Sequence, residues 1–379
     1  MADRETEILA KIASGVSGLN SPAWNRLAAG DPFLSHEFLS ALEDSGSVGP
    51  ATGWTPAALL IEDESSHLVA AAPAYLKTHS QGEYVFDHGW AEAWERAGGQ
   101  YYPKLQIAVP FTPVPGPRLL GSRPQQLLAA AEAVTVQNDL SSAHITFMDD
   151  SAAAEAERRN WLIRHGIQYH WFNRGYASFD DFLGVLSSRK RKSLRKERAA
   201  AAAGLEIRAL RGAEIRRSEW DAMWAFYQDT GSRKWGRPYL TREFFDLVGE
   251  RMGDKLLLFV AYRGDLPIAG ALNLVGPDAL YGRYWGTVDD APFLHFELCY
   301  YRAIEWAIDH GLSQVQAGAQ GEHKVARGYE PVITKSAHFI PNRSFRDAVA
   351  DFLETERAAI AAEAEWLRGE LPYRSSSSE

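Results

Sequence analysis

LYGRYWG (Leu280–Gly286), LHFELCYYRAIEWAIDHG (Leu294–Gly311) and QVQAGAQGEHKVARGY (Gln314–Tyr329) follow one another in the second half of the chain. The first reads as an aromatic-rich strand. The second has apolar residues at Leu294, Leu298, Tyr301, Ile304 and Ile308, the spacing of one helix face. Gly311 sits where a helix end favours positive φ, and Asp289 or Asp290, ahead of Pro292, is placed to cap the start. The third is a short strand opening into a Gly-rich turn that carries Glu322, His323, Lys324 and Arg327. Strand, helix, strand and polar loop in that order predict a site at the carboxyl ends of a sheet.

Working outward, a chain of 379 residues is long for one core, so two domains are expected, residues 1–175 and 176–379. Hydrophobic residues make up 46% and charged residues 23%, with no apolar run near the roughly 18 residues that span a bilayer. MADRETEILAKIA mixes acids with bases and has no apolar segment of the secretory kind. The single cysteine, Cys299, excludes an intrachain disulfide framework and fits a reducing compartment, so a cytoplasmic location is expected. A net charge of −9 argues against general nucleic-acid binding but leaves room for a local basic patch.

In order, the sequence predicts a helix to about Ser14, a helix SPAWNRLA with Ser21 as its cap, and a third, HEFLSALEDSG, ending at Gly46. TPAALLIED and HLVAAAPAYLKTH read as a hairpin, and EYVFDHGW (Glu83–Trp90) as a further strand. Prolines between Pro103 and Pro117 impose an extended path. A helix at PQQLLAAAEAVTVQND, a strand at AHITFMD and a helix over Ala153–His165 follow. The last helix is expected to start at a Ser344 cap and to pack through Phe345, Val349, Phe352 and Ile360.

The halves echo each other. LVAAAPAYL matches LPIAGALNL, EYVFDHGW matches LYGRYWG, and each half continues with a helix and a strand, at an offset of roughly 197 residues. Helices, antiparallel strands, then a helix and strand alongside is the order of the GNAT acyltransferase fold. The expectation is an α+β protein, a tandem duplication of a GNAT-like fold.

The blocks FDHGWAEAWERAGGQYYPKLQIAVPFTPVPGPRLL, GSRKWGRPYL, AGALNL, LYGRYWG, LHFELCYYRAIEWAI and AGAQGEHKVARGY resemble the FemAB-like family of N-acyltransferases, also described under peptidoglycan biosynthesis or recognition. The resemblance runs from about residue 20 to 345. It implies acyl or aminoacyl transfer to an amine of a small molecule or peptide, with aminoacyl-tRNA or acyl-CoA as donor and no tightly bound cofactor. Acetyl-CoA enzymes hold the pyrophosphate with a Q/R-x-x-G-x-G/A loop at a helix start. Here that loop reads TVDDAPF and carries two acids, which favours the aminoacyl-tRNA class. The competing class is a non-catalytic module that recognises a cell-wall precursor or peptide in the same cleft.

Acyl transfer to an amine needs a base for the ammonium proton and donors for the oxyanion. Glu322, His323 and Tyr281 are the candidate catalytic residues, with Lys324 and Arg327 for a phosphate or carboxylate. Arg283, Trp285, His295 and Glu297 are candidates beside them, although residues two apart do not share a helix face, so only one of His295 and Glu297 points inward. In the first half Asp87, His88, Tyr101, Tyr102 and Lys104 group aromatics with a lysine, suited to a sugar or peptide. Arg233 and Trp235 stand in a loop. No spacing matches a zinc pattern. The basic run SSRKRKSLRKER (Ser187–Arg198) reads as a helix stopped by Gly204, either binding tRNA or diphosphate phosphates or simply solvated.

Overall fold

The computed structural model describes residues 10–234, 238–289, 291–318 and 321–374, without the side chains of residues 232–234. Two compact units emerge: Met1–Gly166 with Thr334–Ile360, and Ile167–Ile333 with Ala361–Glu379. The chain passes from the first to the second within the strand Leu162–Phe172 and returns within Glu330–Phe339. Residues 334–360, which a division near residue 175 would give to the second half, thus belong to the first unit.

In the first unit, Ala10–Ala13 is a strand rather than the end of a helix, paired antiparallel with Ala58–Ile61. An open strand edge offers a full row of backbone partners, which outweighs the helix propensity of an Ala-rich segment. Asn20, not Ser21, caps the helix Ser21–Ala28, accepting from the Ala23 amide at 2.9 Å. Ala58–Glu62 and Leu68–Ala72 form the expected hairpin. Pro73 then breaks the strand: it has no N–H for the ladder, and Ala74–Lys77 continues in a second sheet. That sheet pairs Trp54–Pro56 and Lys104–Ile107 antiparallel to Ala74–Lys77, and sets Lys104–Ile107 parallel to Ala143–Met148. Helix Pro124–Gln137 packs Leu127, Leu128 and Ala131 with Leu105, Ile107 and Ile145.

Three local expectations fail here. Glu83–Trp90 is not a strand; helix His88–Arg96 begins within it and buries Trp90. The helix Asp150–Arg158 is shorter than Ala153–His165 implied, because Leu162–Phe172, with Ile163, Tyr169 and Trp171, goes to a strand. Asn342 rather than Ser344 caps the helix Arg343–Gly369, and Leu353 is buried there while Phe352 is exposed.

The second unit holds one antiparallel run, Glu206–Arg211, Leu256–Arg263, Leu266–Val275 and Ala279–Thr287. Ala279–Tyr281 is parallel to Gln314–Gln316, which is antiparallel to His170–Phe172. Helix Arg217–Lys234 lies so close to this sheet that a Cβ on Gly286 would stand 2.2 Å from the Phe226 carbonyl oxygen, so the last residue of LYGRYWG has to be glycine. Leu257, Phe259, Leu280, Leu298, Ile304 and Val315 fill the core.

The two units repeat one plan. Each has a helix pair, an antiparallel hairpin, then a strand set parallel to a later strand with a helix between them. This is the tandem GNAT-like duplication. The counterpart of Ala279–Thr287 is Lys104–Ile107, not Glu83–Trp90. The hairpins are 198 residues apart (Leu68 to Leu266), but the parallel strands only 171 (Ala143 to Gln314). Residues 78–103 account for most of the difference, standing where the second unit has only 276–278.

Candidate functional site

Gln314–Gln316 pairs with only the first three residues of Ala279–Thr287. Beyond Tyr281 and Gln316 the ladder stops, and Gly282–Thr287 continues alongside Leu266–Val275 alone. The next described element along the chain is the 3-10 helix Glu322–Arg327. Gly321 enters that helix at φ +115°, and a Cβ there would lie 2.5 Å from the His323 ring. The helix following Ala279–Thr287 is not regular: Glu297–Tyr301 is a π-helical turn in which the Arg302 amide bonds the Glu297 carbonyl. His295 and Glu297, two residues apart, meet different surroundings, and π-helical turns concentrate at functional sites.

Within this frame Lys324 is 2% exposed, and its Nζ donates to the Gly318 carbonyl at 2.9 Å, 5.8 Å from the Tyr169 ring centre. Burial brings its amine down from the usual lysine range to about 7. Burial, with Lys324 as a further cause, takes the neighbouring His170 imidazole down to about 4. Tyr169 is pushed up by burial and then by the Glu322 carboxylate. Glu322 and His323 are exposed. His323 Nε2 is 2.9 Å from the Tyr300 hydroxyl, whose own ionisation burial drives far up. His295, Phe296 and Tyr300 gather around it, with His295 6.3 Å from His323, 5.3 Å from Tyr300 and 5.1 Å from Trp285 between ring centres.

Arg327 is spoken for. It donates to the Tyr301 hydroxyl at 3.0 Å, to the His323 carbonyl at 2.8 Å and to Glu197 at 2.9 Å, and its guanidinium lies 3.5 Å from the Phe296 ring centre. Glu297 is likewise enclosed, accepting from Arg198 at 3.0 Å and Arg302 at 2.8 Å. His295, and not Glu297, therefore joins the aromatic group. Tyr281 is buried beside Gly276, and Arg283 lies half-buried over Tyr284. The capping expectation at the helix start is not met: Phe293 occupies the cap position, Asp289 pairs with Arg263, and Asp290 lies outside the described residues. Trp235 lies outside them too, as does the side chain of Arg233.

The first-unit candidates gather separately. Lys104 is fully buried and donates to Ser80 at 2.8 Å, Glu83 at 2.8 Å and Asp87 at 2.5 Å. Tyr101 also donates to Asp87, at 2.7 Å, and Tyr102 meets Ser80 at 2.9 Å. Burial would raise Asp87, but Lys104 beside it holds the carboxyl well below the usual range. Burial wins at Glu83, which rises to about 7, and at Lys77, which falls to about 7. His88 is exposed and stands apart. Asp87, Tyr101 and Lys104 thus bond one another inside the unit, both donors on Asp87 Oδ2. Lys77, Ser80 and Glu83 escaped the sequence reading because nothing local marks them; residues 78–103 fold back onto the start of the Lys104–Ile107 strand. Among the described residues no three His, Cys, Asp or Glu side chains are placed to hold a metal, and no helix is long and apolar enough to cross a membrane.

Residues 15–375 match the FemAB-like family, described as peptidoglycan biosynthesis/recognition. No curated protein matches the sequence. Among solved structures the chain is similar to FemX, at 11% identity and TM-score 0.54, over 88% of this chain and 98% of that one. It is similar to L-PGS from Bacillus licheniformis, at 11% identity and TM-score 0.50, over 83% and 95%. A conserved protein of unknown function from Bacteroides thetaiotaomicron aligns at 8% identity and TM-score 0.53, over 88% and 99%. At these identities the likeness is one of fold.

Proposed function

The chain belongs to the FemAB-like family, and on that premise we propose that it is an N-acyltransferase, moving an acyl or aminoacyl group from aminoacyl-tRNA or acyl-CoA to an amine of a peptidoglycan-type peptide. The observation that carries the reading is Lys324: a buried amine, near neutrality in its ionisation, on the turn that follows the parted end of the parallel strands.

An acceptor amine arrives as an ammonium and has to lose a proton before its nitrogen can attack. A base with a pKa near the working pH does this best. Lys324 in its neutral form takes that proton. The freed nitrogen adds to the donor carbonyl, forming the C–N bond and a tetrahedral oxyanion. On collapse the C–O bond of an ester or the C–S bond of a thioester breaks and the proton held by Lys324 goes to the departing alcohol or thiol, while the newly bonded nitrogen gives up its second proton to the Lys324 amine so freed, which passes it to solvent. Exposed Glu322 and Tyr300-bonded His323 immediately precede Lys324 in the chain. We assign His323, His295 and Trp285 to holding substrate, since stacked aromatic faces grip flat groups and sugars.

The test is amide formation read by mass, using aminoacyl-tRNA and acyl-CoA donors with peptides bearing free lysine or alanine amines. Product with either donor, lost in Lys324→Met, is the expected result. No product with any pair would return the chain to the recognition class.

A further inference from the structure

Gln316 is the last residue of its strand, and the 3-10 helix that carries Lys324 is the next described element. Gln316 stands in a row across three strands, with Tyr281 as its partner on one side and His170 on the other. Side chains alternate along a strand, so partnered positions share a face. Leu280, Val315 and Trp171 form the neighbouring row and lie in the core with Leu298 and Ile304. Gln316 and His170 therefore turn to the other face of the sheet.

Both are closed off from water, at 7% and 4% exposed. Polar side chains in such places normally have their hydrogen bonds made. Gln316 has only part of its set. Its Nε2 donates to Gln314 Oε1 at 3.4 Å, which fixes Oε1 on the other side of the amide. That Oε1 is buried and has no partner among the described residues. His170 Nε2 lies 3.4 Å from Gln168 Oε1, which can only accept, so this nitrogen carries a proton. Burial holds the imidazole near 4, so the ring is neutral around pH 7. An acceptor left bare inside a protein destabilises the fold by itself, and its presence calls for a donor brought from outside.

Position says which donor. The Lys324 amine bonds the carbonyl of Gly318, two residues beyond Gln316, and lies 5.8 Å from the ring of Tyr169, the chain neighbour of His170. A nitrogen brought to Lys324 along this face meets the bare oxygen. An ammonium has three N–H groups, and giving one proton to a base leaves two that need acceptors. Gln168, His170, Gln314 and Gln316, at alternate positions on this face, carry no charge that would repel it. We propose that Gln316 Oε1 accepts a hydrogen bond from the ammonium of the acceptor substrate, selecting an amine and turning one of its protons to Lys324. The role rests on the transferase reading of the Lys324 turn.

The experiment titrates the full chain, without donor, with an N-acetylated Ala-Lys-Ala peptide amide whose only amine is the lysine side chain. The control peptide is acetylated on that amine. Gln316→Leu removes the oxygen and keeps similar bulk. A hydrogen bond to a charged group is lost, so the amine peptide should bind about tenfold to a hundredfold more weakly, and the control peptide should bind as before. Gln316→Glu keeps an acceptor oxygen in either protonation state and should bind the amine peptide within about threefold of the parent. In turnover, the loss in the Leu variant should fall on KM for the amine, with KM for the donor unchanged. The bare oxygen has no bond to lose, so the Leu variant should melt at or above the temperature of the parent. Failure of the parent to bind the amine peptide, or equal binding by the Leu variant, overturns the proposal. A lower melting temperature with unchanged amine affinity would show that Gln316 only holds a resident water, and overturns it too. So does a loss that strikes both peptides alike. Transfer that proceeds with an amine affinity indifferent to Gln316 would sink this inference and leave the transferase standing. Amine binding that needs Gln316, with no transfer from any donor, would do the reverse.

Discussion

Lys324→Met separates chemistry from stability in one variant. Its amine is 2% exposed and titrates near 7 instead of near the ordinary 10.5. The sign follows from which state holds the proton. Between pH 7 and 10.5 the unfolded chain keeps a proton that the folded chain has lost, so stability rises with pH across that window. Below 7 the folded protein carries a buried ammonium at its full cost. A shift of this size corresponds to a few kcal/mol, on the order of 4 kcal/mol near pH 7 before the bond to Gly318 is discounted. Methionine fills similar space without the charge. The variant should therefore melt several degrees higher at pH 7 and lose most of the stability gain between pH 7 and 10. Its transfer rate should fall by roughly two to four orders of magnitude, the usual loss for a general base. In the parent, kcat/KM should climb through about pH 7 to a plateau. Thermal melts across pH and amide formation read by mass supply both numbers. A Met variant that keeps turnover within about fivefold of the parent would refute the assignment of the base.

Glu322→Gln should change turnover by no more than about threefold, because the carboxylate is exposed and the proposal gives the proton transfer to Lys324; a hundredfold loss would assign the base to Glu322 instead. Glu297→Gln removes the anion between Arg198 and Arg302 and should cost about 3 kcal/mol in denaturant unfolding. Lys104→Met should cost a similar amount, about 3 to 5 kcal/mol, by leaving Glu83 and Asp87 buried without their cation, and the loss should ease at low pH as Asp87 becomes protonated. Gly286→Ala places a methyl against the Phe226 carbonyl and should lower stability by about 3 kcal/mol, visible as an earlier unfolding midpoint.

Much was legible in the chain itself. Helix faces at SPAWNRLA, HEFLSALED and PQQLLAAAEAVTVQ, the hairpins, the helix over the basic run and the doubled plan all follow from local periodicity and punctuation, which act within one turn or one strand. The sequence also singled out the Gly318–Gly328 stretch, where glycines frame four charged or titratable residues. Which of those residues is buried was not legible. Glu322, His323, Lys324 and Arg327 look alike as polar letters, and only the fold places Lys324 against Tyr169 and His170, gives Arg327 to Glu197 and leaves Glu322 outside. The same holds for Lys104, whose partners Glu83 and Asp87 lie far along the chain and meet it through residues 78–103 folding back. Periodicity reports which side of an element avoids water. Burial of a charge, and with it the ionisation of the buried group, is set by what the rest of the chain packs around it.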